Sequence, residues 1–238
     1  MNDDKIRGAQ IKTDSRFARW FENYWYHYKW TTIIVGFFLI VALVCGLQMC
    51  TREEQDISII YAGPQVLNAE MSSEIEGVMD FVMFSNDEEK SSAVVSYLIY
   101  SEAQIKEIEA QTYANGESGF VDKPYNATNY DNFYSYLQTG ESSICFLDPS
   151  LFESLRDAGR LASISDTVGY LPDGAIDEYG VSLRELGIYS AYGSMRKLPE
   201  DTVVCILLPL VAGKSSDEEI YAYEQEMFAT ILEFSNEN

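Results

Sequence analysis

The amino-acid sequence predicts an α/β fold: a three-layer, largely parallel sheet flanked by helices and preceded by one transmembrane helix. Three observations carry that expectation. Residues 31–49, Thr-Thr-Ile-Ile-Val-Gly-Phe-Phe-Leu-Ile-Val-Ala-Leu-Val-Cys-Gly-Leu-Gln-Met, contain no charge. Beyond them, short apolar runs alternate with amphipathic helical segments, as in sheets covered on both faces. Finally, residues 1–30 hold six Lys/Arg (Lys5, Arg7, Lys12, Arg16, Arg19, Lys29) against four acids, which leaves 10 of the 16 bases and 34 of the 38 acids for the rest of the chain.

At a rise of ~1.5 Å per residue, 31–49 extends over roughly 28 Å, close to the hydrocarbon thickness of a bilayer. A basic flank marks the cytoplasmic side of a span. The expected organisation is a cytoplasmic tail with an interfacial amphipathic helix (1–30), the transmembrane helix (31–49), a linker (50–56) and an extracytoplasmic α/β domain (57–238). The chain is thus expected to be a single-pass protein of the cell membrane with its N-terminus cytoplasmic and its C-terminal domain extracellular. The apolar core is long and its lead runs to thirty residues, so a cleaved secretory signal is not expected. Val44 before Cys45 and Met49 before Cys50 are poor lipidation contexts.

Within the tail, Phe17, Phe21, Tyr24, Trp25 and Tyr28 fall at helical spacing, with Lys12, Arg16, Arg19, Asn23 and His27 opposite. Trp20, Trp25 and Trp30, the three tryptophans of the chain, suit an aromatic belt, and together with Phe37 and Phe38 they are the expected membrane anchor. This segment either lies in the head-group layer or docks on another membrane protein.

In the domain, 57–62 reads as a strand broken by Gly63-Pro64. Met71, Ile75, Val78, Met79, Val82 and Met83 mark one face of a helix over 65–84, the methionines filling core. A polar loop at 85–90, a strand over 93–100 and a helix over 101–110 capped by Ser101 follow. Residues 115–128 read as a loop, with a short strand at 118–121 and a sequence match to a glycosylation sequon at Asn126. A short aromatic helix is expected at 130–137, then a strand, the Asp148-Pro149 hinge and a helix. Residues 167–180 look irregular, and 181–188 and 202–210 read as further strands. Ser216 with Glu219 forms a capping box opening a last helix, whose Ile220, Tyr223, Met227, Ile231 and Phe234 share a face.

Composition narrows the chemistry. The acidic outer domain is unsuited to nucleic acid or anionic lipid head groups; its charge either keeps it soluble or captures cations. His27, the single histidine, precedes the span, so no Ser-His-Asp or Cys-His arrangement and no imidazole zinc site can form outside. Cys145 and Cys205 lie in strand-like runs and read as two buried thiols, with a disulfide as the alternative. Gly213-Lys214-Ser215 lacks the leading glycine of a phosphate loop, since position 208 is Leu. Acid pairs at Asp87-Glu88-Glu89, Asp177-Glu178 and Asp217-Glu218-Glu219 sit at loop tips and helix starts, where solvation or the helix dipole accounts for them. No enzyme activity, cofactor or metal is expected.

Open α/β sheets bind ligands beyond the carboxyl ends of their strands. That rule nominates Tyr61, Ala62 and Gly63 after the first strand, Ser101 and Glu102 after the second, and Asp148 after the third. Each has a structural alternative: Gly63 a breaker, Ser101 a cap, Asp148 a turn former. The tyrosines of 125–136 and 189–192 are candidates to wall a cleft or to pack the core.

The run Ser143-Ile-Cys-Phe-Leu-Asp-Pro-Ser-Leu-Phe-Glu-Ser-Leu-Arg-Asp-Ala-Gly-Arg-Leu-Ala-Ser-Ile resembles the extracellular solute-binding proteins of bacterial ABC importers, the type 2 periplasmic binding protein-like group. So does the opening Asp56-Ile-Ser-Ile-Ile-Tyr-Ala-Gly-Pro with the helix after it. The resemblance covers about half of the outer domain and implies its fold. Two full lobes do not fit in the residues after 49, so one lobe is reduced or absent. It also implies a Gram-positive source, where such proteins are tethered to the single membrane. The resulting expectation is a membrane-tethered, non-enzymatic binding domain for a small molecule or peptide. The alternative is an assembly subunit whose partners are the lipid bilayer and a membrane protein, without a small-molecule site.

Overall fold

The computed structural model describes residues 16–50, 55–85, 90–115, 120–211 and 213–235, with side chains undescribed at 16–19, 21–23, 47–50 and 112–115. It divides into two units, Met1–Glu54 and Gln55–Asn238. The first contains α1 (Arg16–Cys50), one helix that continues unbroken through Trp30 and Thr31. No proline interrupts the segment, and its first glycine is Gly36. Among the described residues, α1 is the one helix long and apolar enough to cross a membrane, over Tyr24–Gly46.

Trp20, Trp25 and Trp30 are spaced by five residues, so each is turned about 140° from the last. They ring the helix instead of lining one face, and all three are exposed, as are Phe37 and Phe38. Tyr24 stacks on Trp20 and on Tyr28, with ring centroids 5.6 and 5.4 Å apart. The expected polar face (Lys12, Arg16, Arg19, Asn23) and the aromatics Phe17 and Phe21 lie outside the described side chains.

The second unit holds β1 (Ile57–Gly63), α2 (Ala69–Phe84), β2 (Ser92–Leu98), α3 (Glu102–Asn115), α4 (Lys123–Leu137), β3 (Ile144–Leu147), α5 (Pro149–Asp157), α6 (Ile164–Val168), β4 (Gly180–Ser182), α7 (Gly187–Ala191), β5 (Val203–Ile206) and α8 (Glu218–Glu233). The sheet order is β2-β1-β3-β5-β4. β1 pairs parallel with β2 and β3, while β5 runs antiparallel to β3 and β4. Four strands therefore point one way and β5 alone opposes them, so the sheet is mostly parallel in strand direction.

Strand side chains alternate between two apolar clusters, following the period of two. Ile57, Ile59, Tyr61, Ile144 and Phe146 join one, with Met71, Ile75 and Met79 of α2 and Phe228 and Ile231 of α8. Ile60, Ala62, Cys145 and Leu147 join the other, with Phe133 of α4 and Leu151 and Phe152 of α5. Both sets of positions are buried, which is why the strands read as continuous apolar runs.

Several elements differ from expectation. Within 181–188 the strand stops at Ser182, a 3-10 turn occupies Leu183–Glu185 and α7 begins at Gly187; Leu183 and Leu186 are both buried at i,i+3, a helical spacing. The strand expected over 202–210 spans only Val203–Ile206: its partner β3 begins at Ile144, opposite Ile206, and Pro209 further on has no N–H for a ladder. The helix expected from 130 starts at Lys123. Asp122 caps it, accepting from Tyr125 N at 3.0 Å, and Pro124 suits its first turn. Phe120 and Val121 are not strand; the remainder of that expected strand, like most of the 85–90 loop and the acids at 87–89, lies outside the described residues. The last helix is capped by Asp217, which accepts from Glu219 N and Ile220 N, while Ser216 donates to Gly213 O.

Candidate functional site

β1 and β3 are neighbours, yet the helices that follow them join opposite clusters: α2 the first, α5 the second. Neighbouring strands whose chains part in this way mark a topological switch point, the place where open sheets bind ligands. Gly63 and Pro64 leave β1 there, and Asp148 and Pro149 leave β3.

Asp148 is 5% exposed. It caps α5, with Oδ1 accepting from Ser150 N at 2.9 Å and from Ser150 Oγ at 2.5 Å. Its Oδ2 accepts from Gln104 Nε2 at 2.7 Å, and its N–H donates to Ala62 O at 2.8 Å. Gln104 in turn completes the start of α3: its Oε1 accepts from Ser101 N at 2.8 Å, and Ser101 Oγ accepts from Gln104 N at 3.3 Å. The sequence carries this reciprocal capping box as Ser-x-x-Gln. Gln104 thus ties the ends of β2 and β3 together.

Tyr61 is buried, and its hydroxyl accepts from Gln65 N at 3.1 Å. Burial raises the phenol well above its ordinary value; Asp148, Asp201 and Tyr100 push the same way, against the Gln65 N–H. A Cβ on Gly63 would lie 2.9 Å from the Tyr61 hydroxyl, so the bare backbone there lets the ring fold over the turn. Tyr61, Gly63, Ser101 and Asp148 come together at this end of the sheet. Glu102 does not join them: it is exposed and faces Lys106 one turn along at 3.6 Å.

Past the end of β2 lies a hollow of about 220 Å³ lined by Leu98, Tyr100, Phe120, Val121, Asp122, Tyr125 and Asn126. Phe120 and Tyr125 are exposed on its rim. Asn126 accepts from Tyr100 N at 2.8 Å and donates to Tyr100 O at 3.0 Å, and Asn129 donates to Leu98 O at 2.9 Å. These asparagines pair backbone groups where β2 gives out. The sequon amide is therefore engaged on both its oxygen and its nitrogen. Of the other tyrosines, Tyr136 packs near Tyr97 and Tyr192 against Phe81 and Phe234.

At the opposite, amino end of the strands, Glu224 of α8 is 3% exposed, and its Oε2 has no hydrogen-bond partner among the described residues. Burial raises its pKa; Ser143 and Lys214 act in the other direction. Cys145 and Cys205 face each other in register, unbonded and fully buried, and burial raises the Cys145 thiol. The Gly213-Lys214-Ser215 loop is occupied internally, Ser215 N donating to Gly140 O at 2.8 Å. Asp177 accepts from Tyr179 N and Gly180 N and pairs with Arg156 at 3.1 Å, so it organises a turn. No group of three or more His, Cys, Asp or Glu among the described residues is arranged to hold a metal ion. No family model, no curated protein and no solved structure matches the chain.

Proposed function

We propose that the chain is a membrane-tethered, extracytoplasmic, non-enzymatic binding domain related to solute-binding proteins, and that it takes a small ligand at the carboxyl end of its sheet. The observation that carries this is the aromatic-rimmed hollow at Tyr100, Phe120 and Tyr125, past the end of β2. At about 220 Å³ it is smaller than the ~300–1,000 Å³ typical of drug-sized ligands. It suits a single ring: an aromatic or sugar residue, free or at the end of a peptide, packed on tyrosine faces.

In this reading α1 spans the cell membrane with the basic tail inside, and the domain is a three-layer sandwich. The two apolar clusters, each with its own helices, support the layers, and the ring of tryptophans supports an interfacial girdle. The unbroken helix, about 52 Å long at 1.5 Å per residue, exceeds a bilayer with its head groups. Its aromatic turns therefore stand up through the interface along the span axis. No catalysis is proposed, since the one histidine, His27, precedes the span.

A second reading, an assembly subunit with no small-molecule site, is favoured by one observation: the carboxylate of Asp148 and the amides of Gln104 and Asn126 are paired within the chain. Thermal unfolding of the full chain in detergent, scanned against amino acids, sugars and short peptides, separates the two. A ligand at 100 times its Kd adds about 2.7 kcal/mol, and Tyr125→Ala removes that gain. A flat panel, with one membrane protein copurifying, sinks the first reading. Protease added to intact protoplasts checks the orientation, and full protection of the domain reverses it.

A further inference from the structure

The loop after β5 presents bulky apolar side chains to solvent. Leu208 is 43% exposed and Val211 is fully exposed, with Pro209 exposed between them. The flanks of this tip are fastened. Leu208 N donates to Arg160 O at 2.9 Å, and Leu210 N donates to Ser215 Oγ at 3.4 Å. Gly213 has φ of 105°, and a Cβ there would meet Thr139 O at 2.1 Å, so the return of the loop is pressed against the end of α4. These backbone bonds lie on both sides of Pro209. The tip is held in its exposed position.

It is also held beside the entry of the chain. β5 runs opposite to β1, so the end of β5 and the start of β1 lie at the same end of the sheet. Lys214 Nζ donates to Gln55 O at 3.5 Å. Five residue steps separate Gln55 from Cys50, the last residue of α1, and they extend over at most about 18 Å.

We propose that Leu208, Pro209 and Val211 are a second membrane contact, inserted into the interfacial layer of the bilayer that α1 crosses. This rests on the reading of α1 as a membrane span. The short tether commits the occupant to lipid: it keeps the tip at high effective concentration next to the bilayer, so a contact too weak to bind alone is populated. Arg160 and Lys214 flank the tip, two of only 10 bases beyond residue 30, and their length suits head-group phosphates while the apolar side chains go deeper. The contact would fix which end of the sheet faces the membrane and leave the hollow past β2 pointing away from it.

The test uses the full chain in phosphatidylcholine vesicles, with Cys45 and Cys50 replaced by Ser and the buried Cys145 and Cys205 kept. A nitroxide is placed through Val211→Cys, and in separate samples through Phe38→Cys within α1 and Glu102→Cys at the far end of the sheet. Collision with oxygen, which partitions into lipid, is compared with collision with a water-soluble nickel chelate. The expected oxygen-to-nickel ratio is highest at 38 and severalfold higher at 211 than at 102; adding Leu208→Asp returns 211 to the value of 102. If 38 is deep and 211 matches 102, the tip inference is overturned and the anchor stands. An aqueous signal at 38 overturns both. Shielding of 211 from both reagents means that protein covers the tip, and overturns lipid as its occupant.

Discussion

At the carboxyl ends of β1, β2 and β3 the chain pairs its buried polar groups with one another: Asp148 takes donors from Ser150 and Gln104, Gln104 closes on Ser101, and Asn126 holds both backbone groups of Tyr100. At the amino ends the arrangement is looser. Glu224 is buried with one oxygen unpaired among the described residues, and Leu208 and Val211 stand in solvent. The rule that open sheets bind beyond their carboxyl ends leads to the end where the polar groups are already paired. Among the described residues, the buried carboxylate oxygen without a partner is at the other end. A polar residue beyond a strand is thus evidence of a turn to be closed before it is evidence of a ligand.

The largest expected effect tests that closure. Asp148→Ala removes a helix cap and leaves the Gln104 amide without its acceptor, which should cost about 3 kcal/mol, read as a lower urea midpoint for the full chain in detergent. A loss below about 1 kcal/mol would mean that the carboxylate is not a strut and that the two ends are alike in being open. Asn126→Ala comes next. It frees the Tyr100 N–H and C=O at the edge of the hollow, for an expected loss of about 1.5 kcal/mol. Hydrogen exchange at the Tyr100 amide should accelerate about tenfold, 1.4 kcal/mol being a factor of ten. Unchanged exchange there would show that the hollow keeps its shape without the asparagine, and would weaken the picture of a self-supporting carboxyl end.

Much of this architecture is legible in the sequence. The periodicity of Met71, Ile75, Val78, Met79, Val82 and Met83 located α2, and the continuous runs of β1 and β3 announced burial on both faces. Ser101 and Asp148 were nominated together with their structural alternatives, and the bonds they make are those of a cap and a turn. What stayed hidden depended on partners far away in sequence. Gln104 reaches Asp148 across forty-four positions, and the reversal of β5 follows from pairing with β3 and β4, which no local pattern encodes. Two misses were avoidable. Asp122-Lys-Pro124 signals a helix start, but the Asn, Thr and Tyr residues behind it have weak helix propensity and masked it. Leu183 and Leu186 match a helical period as well as Val181 and Leu183 match a strand period.

Glu224 is the most instructive omission, because the pattern did contain it. Ile220, Met227 and Ile231 define the apolar face of α8, and position 224 lies four residues after the first and three before the second. A carboxyl group therefore occupies a core position, and only its charge had kept it off the list of core residues.

That position supplies the smallest expected effect, of opposite sign to the others. Burial raises the Glu224 pKa above its ordinary value of 4.5, while Ser143 and Lys214 oppose the shift; Tyr136, Tyr221 and Cys145 also face it electrostatically. Below the ordinary value the side chain is protonated whether the chain is folded or not, and its ionisation costs nothing. As pH rises from there, the unfolded chain loses this proton while the folded chain retains it, so stability falls until the folded pKa is passed. Glu224→Gln cannot ionise and escapes that fall. The variant should therefore track the parent in acid, diverge from about pH 4.5 upward, and level off more stable by about 1 kcal/mol in mildly alkaline solution. Denaturant midpoints of parent and variant across pH measure this difference directly, with the other titrating acids cancelling between them. If the variant is instead less stable throughout, the Glu224 carboxylate has a partner that holds it ionised, and the amino end is as fully paired as the carboxyl end.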